Sequence, residues 1–463
     1  MFSKQTYIER RKVLREKVGS GVILLLGNSE SPMNYADNTY HFRQDSTFLY
    51  YTGIQHPELA LVIDCESGKE ILIGDNYTID DIVWMGQQPT IEQRALEVGI
   101  SSTADTNTLG SIVLNAVKGE RRVHFLPPYR PDNKIKLMDL LKIHPMQLNN
   151  SASVELIMAI VSQRNIKTAE EIIEIEKAVN TTVEMHLAAM RIVRPGITEA
   201  QVAAEVTRIA QSQNGNLSFP IIATINGQTL HNHYHGNTVV DGKLFLLDCG
   251  AETSMGYAGD MSSTFPTGMK FTTEQKEIYN IALAAHEKAI SMLAPGVAFK
   301  DIHLATAKVI TEGMKSMGFM RGNTNDAVAA GAHAMFFPCG LGHMMGLDVH
   351  DMEDLGEVFV GYDGSEKSKQ FGLKSLRLGR PLEAGNVLTI EPGIYFIPDL
   401  IDKWRAEGHN AEFLNFDKID LYRNFGGCRN EEDFLITSDG ARLLGKPLPK
   451  TVADVETERA KAF

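Results

Sequence analysis

The stretch 246–265, LLDCGAETSMGYAGDMSSTF, decides how this chain is read. The apolar run 244–247 ends on Asp248, and Asp260 follows twelve residues later in a segment suited to pair with the first. A carboxylate at the end of a buried strand is costly unless something compensates it. The fold and the chemistry both depend on what that partner is.

The pattern returns further along the chain. DGKLFLLDCG (241–250) aligns with AGNVLTIEPG (384–393), placing Gly242 on Gly385, Asp248 on Glu391 and Gly250 on Gly393. Each copy precedes a second acidic strand: YAGDMSSTF, with Asp260, and CRNEEDFLI, with Glu431 and Glu432. Helix, Arg-Pro-Gly-Ile (194–197), helix is echoed by helix, Ala-Pro-Gly-Val (294–297), helix. The region is therefore read as two related halves, each supplying acids from adjacent strands. Four carboxylates brought together repel and do not all ionise. A pair of divalent cations is the economical compensation.

Histidines extend the constellation. PCGLGHMMGLDVHD (338–351) offers His343 and His350, and LHNHYHGN (230–237) offers His231, His233 and His235. The second group reads either as a metal tract or as proton-moving groups beside the same site. The glycines at 340, 342 and 346 miss the dinucleotide spacing by one residue and lack a strand–loop–helix setting.

Bulk properties narrow the class. A net charge of −13 over 463 residues argues against nucleic acid and anionic membranes as partners. Four scattered cysteines form no disulfide framework, which points to a reducing, cytoplasmic setting. The N-terminal 1–19 reads as a basic amphipathic helix packed on its own domain, without the apolar core of a signal peptide. No window approaches the run of about 18 apolar residues that a spanning helix needs. Apolar segments 21–27, 48–54, 59–65 and 70–75 predict strands, and 111–119 and 134–143 predict helices, giving an α/β domain. Thr168 with Glu171 forms a capping box that opens a long helix, stopped by Pro195 and Gly196. The domain boundary is placed near 165.

Six ordered blocks then carry a resemblance: TINGQTLHNHYH, LLDCGAE, GYAGDMSSTF, GLGHMMGLDVHD, LTIEPGIY and GGCRNEEDFLIT. Together they resemble the pita-bread metallopeptidases. YHFRQDSTFLYYTGIQHPELALVI (40–63) is similar to the N-terminal domain of the aminopeptidase P and prolidase branch. The resemblance implies an α/β (α+β) chain. It would have a creatinase/prolidase-like α/β domain over 1–165 and a pita-bread catalytic domain with pseudo-twofold duplicated halves over 166–463. It further implies that Asp248, Asp260, His343, Glu391 and Glu431 hold two metal ions. Asp260 and Glu431 would bridge both, Asp248 would bind one, and His343 and Glu391 would complete the other. Glu431 matches the family motif by its spacing from Arg429, whereas the residues alone allow Glu432. This mostly hard donor set favours Mn²⁺, with Co²⁺ or Zn²⁺ as substitutes. Glu391 resembles the proton carrier, and His231 and His350 the pair that binds substrate and steadies the oxyanion. Arg429 orients either the acids or the peptide.

The activity implied is removal of an N-terminal residue that precedes proline. Prolidase action on Xaa-Pro dipeptides is the alternative within the class, and a non-catalytic binding protein is the alternative outside it. A homodimer or homotetramer is implied, with Trp84 resembling an aromatic that oligomers bring towards a neighbouring site. Three departures stand out. The spacing of Asp248 and Asp260 is twelve rather than the usual eleven, with the extra residue expected in the 253–256 turn. Cys339 stands where many relatives carry histidine. Segments 352–383 and 399–425 are long, as lids, oligomer contacts or surface excursions.

Overall fold

A computed structural model describes all 463 residues. The chain divides into two compact units: Met1–Arg164 with Met352–Phe359, and Asn165–Asp351 with Val360–Phe463. The start of the 352–383 insertion thus groups with the first unit.

The first unit is built on a five-stranded sheet. Its order is Thr103–Ala104, Glu70–Ile73, Ala60–Asp64, Val22–Leu26 and Val123–His124. The central pairs are antiparallel and the two outer pairs parallel. Leu24, Val62, Ile73, Val113 and Leu137 share its core. Two expectations are corrected here. Segment 48–54 is not a strand, because Ser46–Thr52 is helical. Asp45 accepts the Phe48 N–H at 2.8 Å, and Gly53 closes the helix at φ 68°. All seven helical residues are buried, so no polar face exposes a helical period. The N-terminal helix, Lys4–Val18, turns Arg10 and Arg11 inward rather than to solvent. Arg11 donates to the carbonyls of Tyr51 and Val98, each at 2.9 Å, and pairs with Glu70 at 2.8 Å. Arg10 lies 3.8 Å over the Tyr50 ring. Both guanidiniums replace solvent with carbonyls, a carboxylate or an aromatic face, which makes their burial tolerable.

The second unit shows its duplication in detail. Helices Ala169–Ile192 and Glu199–Ser212 lead into a sheet ordered Met261–Pro266, Leu244–Cys249, Ile222–Thr224. Helices Thr273–Ile290 and Phe299–Ser316 lead into a sheet ordered Val387–Ile390, Glu432–Ile436, Ala441–Leu443. Each helix pair turns through a proline–glycine corner. Gly196 sits at φ 98° with its N–H on the Val239 carbonyl at 2.9 Å, and Gly296 at φ 83° with its N–H on the Leu382 carbonyl at 2.8 Å. Both corners need positive φ, which glycine adopts without strain. Bridges Thr198–Thr238 and Ala298–Pro381 repeat the same pairing.

The two half-sheets meet at a narrow seam, where the Glu431 N–H donates to the Ser262 carbonyl at 3.0 Å. Between the first two acids the chain turns at 253–256, with Gly256 at φ 84°, and Ser262 pairs with Asp248. Segment 399–425 forms helices Pro398–Glu407 and Phe416–Asp420, and Tyr422 packs 4.7 Å from Phe319. No helix is long and apolar enough to cross a membrane.

Phe245 and Phe265 pair across the first half-sheet, stacked at 5.5 Å and fully buried. Phe265→Ala should lower stability by about 3–5 kcal/mol, measured by urea unfolding. A wild-type midpoint would contradict this packing.

Candidate metal centre

Each acid of interest stands at a strand end. Asp248 is the penultimate residue of Leu244–Cys249, and Asp260 immediately precedes Met261–Pro266. Glu391 follows Val387–Ile390, and Glu431 precedes Glu432–Ile436. His343 comes from a loop clamped against the second half-sheet. Its N–H donates to Thr389 Oγ1 at 3.2 Å, and its carbonyl accepts the Thr389 N–H at 3.0 Å. A Cβ at Gly342 would collide with the Thr389 carbonyl, so the loop can approach this closely only with glycine there.

These elements bring donor atoms of Asp260, His343 and Glu431 within 4.8 Å of one another, all three residues buried. His343 Nε2 lies 3.3 Å from Asp260 Oδ2 and 3.6 Å from Glu391 Oε1. His343 Nδ1 is 3.0 Å from the Met344 carbonyl, which can only accept, so Nδ1 carries the hydrogen. In the neutral ring Nε2 then presents a lone pair to two carboxyl groups. That arrangement needs a proton or a cation between them.

Arg429 organises the acids from beneath. Its guanidinium pairs with Asp248 Oδ2, and it donates to Ser262 Oγ at 2.8 Å and to the Tyr395 hydroxyl at 2.7 Å. Ser262 Oγ in turn donates to Glu431 Oε2 at 2.8 Å. Asp433 accepts the Asp260 N–H at 3.1 Å. Glu432 turns the other way, to Lys450 Nζ at 2.5 Å, as alternation along a strand requires. Glu431, not Glu432, is the acid that joins the cluster.

The electrostatics match a cluster short of positive charge. Burial, and then the charge of Asp248, pushes Asp260 well above the usual carboxylate range. Burial raises Glu391, opposed by His343 and Arg429. Burial and then Asp260 and Glu391 raise Glu431. Asp248 Oδ1 is buried without a hydrogen-bond partner. Arg429 balances one of the four carboxylates. The unmatched Asp248 oxygen, the His343 lone pair and the remaining hard oxygens fit divalent metal.

The other residues singled out from the sequence are placed as follows. The His350 ring lies edge-on to His343 with centroids 4.2 Å apart. His231 is exposed on the loop after Ile222–Thr224; partial desolvation and then Arg429 lower its pKa, while Asp248 opposes them. The 231–235 histidines form no tract of their own: His233 is exposed, and His235 Nε2 donates to the Ile221 carbonyl at 3.0 Å. Burial, reinforced by Glu391, pushes the Cys339 thiol up to about 12, so it is neutral beside the acids. Trp84 lies in the first unit and is 85% exposed. Sequence reasoning missed Ser262, Tyr395 and Asp433. Ser262 had a signal, since it lies two residues beyond Asp260 and so on the same strand face.

These shifts set a pH dependence. A carboxyl raised in the folded state adds stability while protonated. That contribution is complete below the ordinary carboxylate pKa of about 4 and is lost as pH rises through the raised values. Chelator-treated protein should therefore melt lower at pH 8 than at pH 5, and added Mn²⁺ should remove most of the difference. An equal melting temperature at both pH values without metal would contradict the clustering.

Comparison with known proteins agrees with this geometry. Residues 174–438 match the model of Metallopeptidase family M24, and residues 7–124 that of Aminopeptidase P, N-terminal domain. The chain is 30% identical to the Xaa-Pro dipeptidase of Homo sapiens, over 100% of this chain and 94% of that protein. It is 28% identical to the Xaa-Pro aminopeptidase of Escherichia coli (strain K12), over 98% of this chain and 97% of that protein. The solved structure of Pseudomonas aeruginosa aminopeptidase PepP aligns with a TM-score of 0.82 at 27% identity, covering 100% of this chain and 99% of that one. With more than half of its length matched by one family model, and a strand-end cluster of acids and histidine inside the matched region, the chain belongs to metallopeptidase family M24.

Proposed function

We propose that this chain is an Xaa-Pro aminopeptidase, hydrolysing the bond between an N-terminal residue and a following proline with two divalent ions. The observation that carries the reading is the approach of Asp260, His343 and Glu431 to within 4.8 Å, with Glu391 3.6 Å from the same imidazole. Asp248, Asp260, His343, Glu391 and Glu431 would hold the ions. Mn²⁺ suits the four carboxylates and one imidazole best, with Co²⁺ or Zn²⁺ as substitutes. When bound, such a pair supplies a nucleophile from water at neutral pH and polarises the scissile carbonyl.

The remaining work falls to side chains. Glu391, raised by burial, accepts the proton of the attacking water at its carboxylate and delivers it to the leaving proline nitrogen. His343 keeps Nε2 turned to the acids because Nδ1–H is fixed on the Met344 carbonyl. His231 and His350 bind the peptide and steady the oxyanion. Arg429 holds Asp248 and, through Ser262, Glu431. Proline lacks an amide N–H and fixes φ, so a site shaped for the ring gains selectivity that general peptidases lack.

Dipeptidase action is the second reading, favoured by the relative named Xaa-Pro dipeptidase at 30% identity. Neither reading requires nucleic acid or membrane. A cytoplasmic setting suits four unpaired cysteines. A homodimer or homotetramer suits the helix Ile79–Met85, where Ile79, Val83, Trp84 and Met85 are 73%, 72%, 85% and 59% exposed. Sedimentation should show the wild type as an oligomer that Trp84→Ser weakens; a monomeric wild type would refute the assembly.

The wild type should cleave Gly-Pro-Ala, and Asp260→Ala should lose turnover by at least about 1,000-fold with unchanged circular dichroism. Cleavage of Gly-Pro alone would select the dipeptidase. Full turnover by Asp260→Ala would remove that residue from the site.

A further inference from the structure

Lys167 and Asp351 form an ion pair that the chemistry above does not use. Lys167 Nζ lies 2.8 Å from Asp351 Oδ2, and each side chain is 1% exposed. Taking two charges out of water is costly, so such a pair needs good geometry and further hydrogen bonds.

Its surroundings supply both. Asp351 closes the loop that begins at Met344. Its N–H donates to the Met344 carbonyl at 2.9 Å, and its Oδ1 accepts the Asp348 N–H at 3.4 Å. The same Met344 carbonyl accepts His343 Nδ1–H at 3.0 Å, so one oxygen serves both the imidazole and the loop closure. The loop wraps tightly around the pair: a Cβ on Gly346 would lie 2.8 Å from both Asp351 Oδ2 and the Lys167 stem. Lys167 is itself anchored. Its N–H donates to the Gly385 carbonyl at 2.9 Å, two residues before the strand that leads to Glu391. The next residue, Thr168, caps the helix Ala169–Ile192. His350, whose ring contacts His343, is the residue just before Asp351.

We propose that the Lys167–Asp351 pair is a positioning device. It locks loop 344–351 against the segment that leads into the strand before Glu391 and thereby sets where His350 meets the substrate carbonyl. The inference rests on the Xaa-Pro aminopeptidase reading for the role of His350, but not for the tether itself. Both residues act through His350 and touch no reacting atom.

A double-mutant cycle with hydrogen exchange tests it on the full-length, metal-loaded protein. Asp351→Asn should lower kcat/KM for Gly-Pro-Ala by about 100-fold, the scale of a misplacement near 1 Å. In a His350→Ala background the same change should cost less than about twofold, because the residues act as a unit. Amides of 344–351 should exchange faster in Asp351→Asn and Lys167→Met, and Lys167→Arg should restore most protection. Equal losses on both backgrounds, or wild-type kinetics in Asp351→Asn, would overturn the proposal. If the wild type cleaves no Xaa-Pro peptide, the activity reading fails separately. Exchange over 344–351 then decides the tether, and unchanged exchange in both single variants overturns it. If the single variants do not fold, Lys167→Met with Asp351→Met replaces the pair by apolar side chains, a change that buried pairs often tolerate. That double variant should fold with a fast-exchanging loop; a loop protected as in the wild type would overturn the proposal.

Discussion

One guanidinium holds the two halves of this centre in register. Arg429 reaches Asp248 in the first half-sheet directly and Glu431 in the second through Ser262. The backbone beside it supplies a narrow seam, the Glu431 N–H on the Ser262 carbonyl. Arg429 is itself 3% exposed, and its N–H and carbonyl both engage Thr264 Oγ1, at 3.0 and 2.9 Å. A cation fixed this firmly sets the spacing of the acids but balances only one of them. The rest of the charge must come from protons or from bound metal, and at neutral pH metal removes the repulsion without neutralising the ligands.

Strand ends give the centre its rigidity, and loops give it adaptability. The acids stand where backbone ladders have just begun or just stopped, so their Cα positions follow from sheet geometry. His231 and His350 lie on loops, His231 exposed and His350 partly so. Cys339, a neutral thiol half-buried near Tyr395 and Glu391, puts a small, weakly polar group beside the acids.

Much of this was legible in the residues. The paired DGKLFLLDCG and AGNVLTIEPG segments exposed the duplication because strand-end acids and turn glycines recur at fixed offsets. What stayed hidden had physical causes. Segment 46–52 is helical but buried on every side, so its apolar run carries no period. Arg10 and Arg11 look like a solvated basic face until the Tyr51 and Val98 carbonyls and the Tyr50 ring arrive from elsewhere in the chain. Glu431 and Glu432 are chemically alike, and only the pleat sends one to the centre and the other to Lys450. Ser262 and Tyr395 gain their roles from partners 167 and 34 residues away, distances that local pattern does not encode.

The central claim is that converging carboxylates exist here to hold two cations. Anomalous scattering from crystals grown with Mn²⁺ tests it most directly. The account predicts two peaks about 3.5–4 Å apart, enclosed by Asp248, Asp260, His343, Glu391 and Glu431. Manganese bound elsewhere on the molecule, with this cluster empty in fully active crystals, would contradict it.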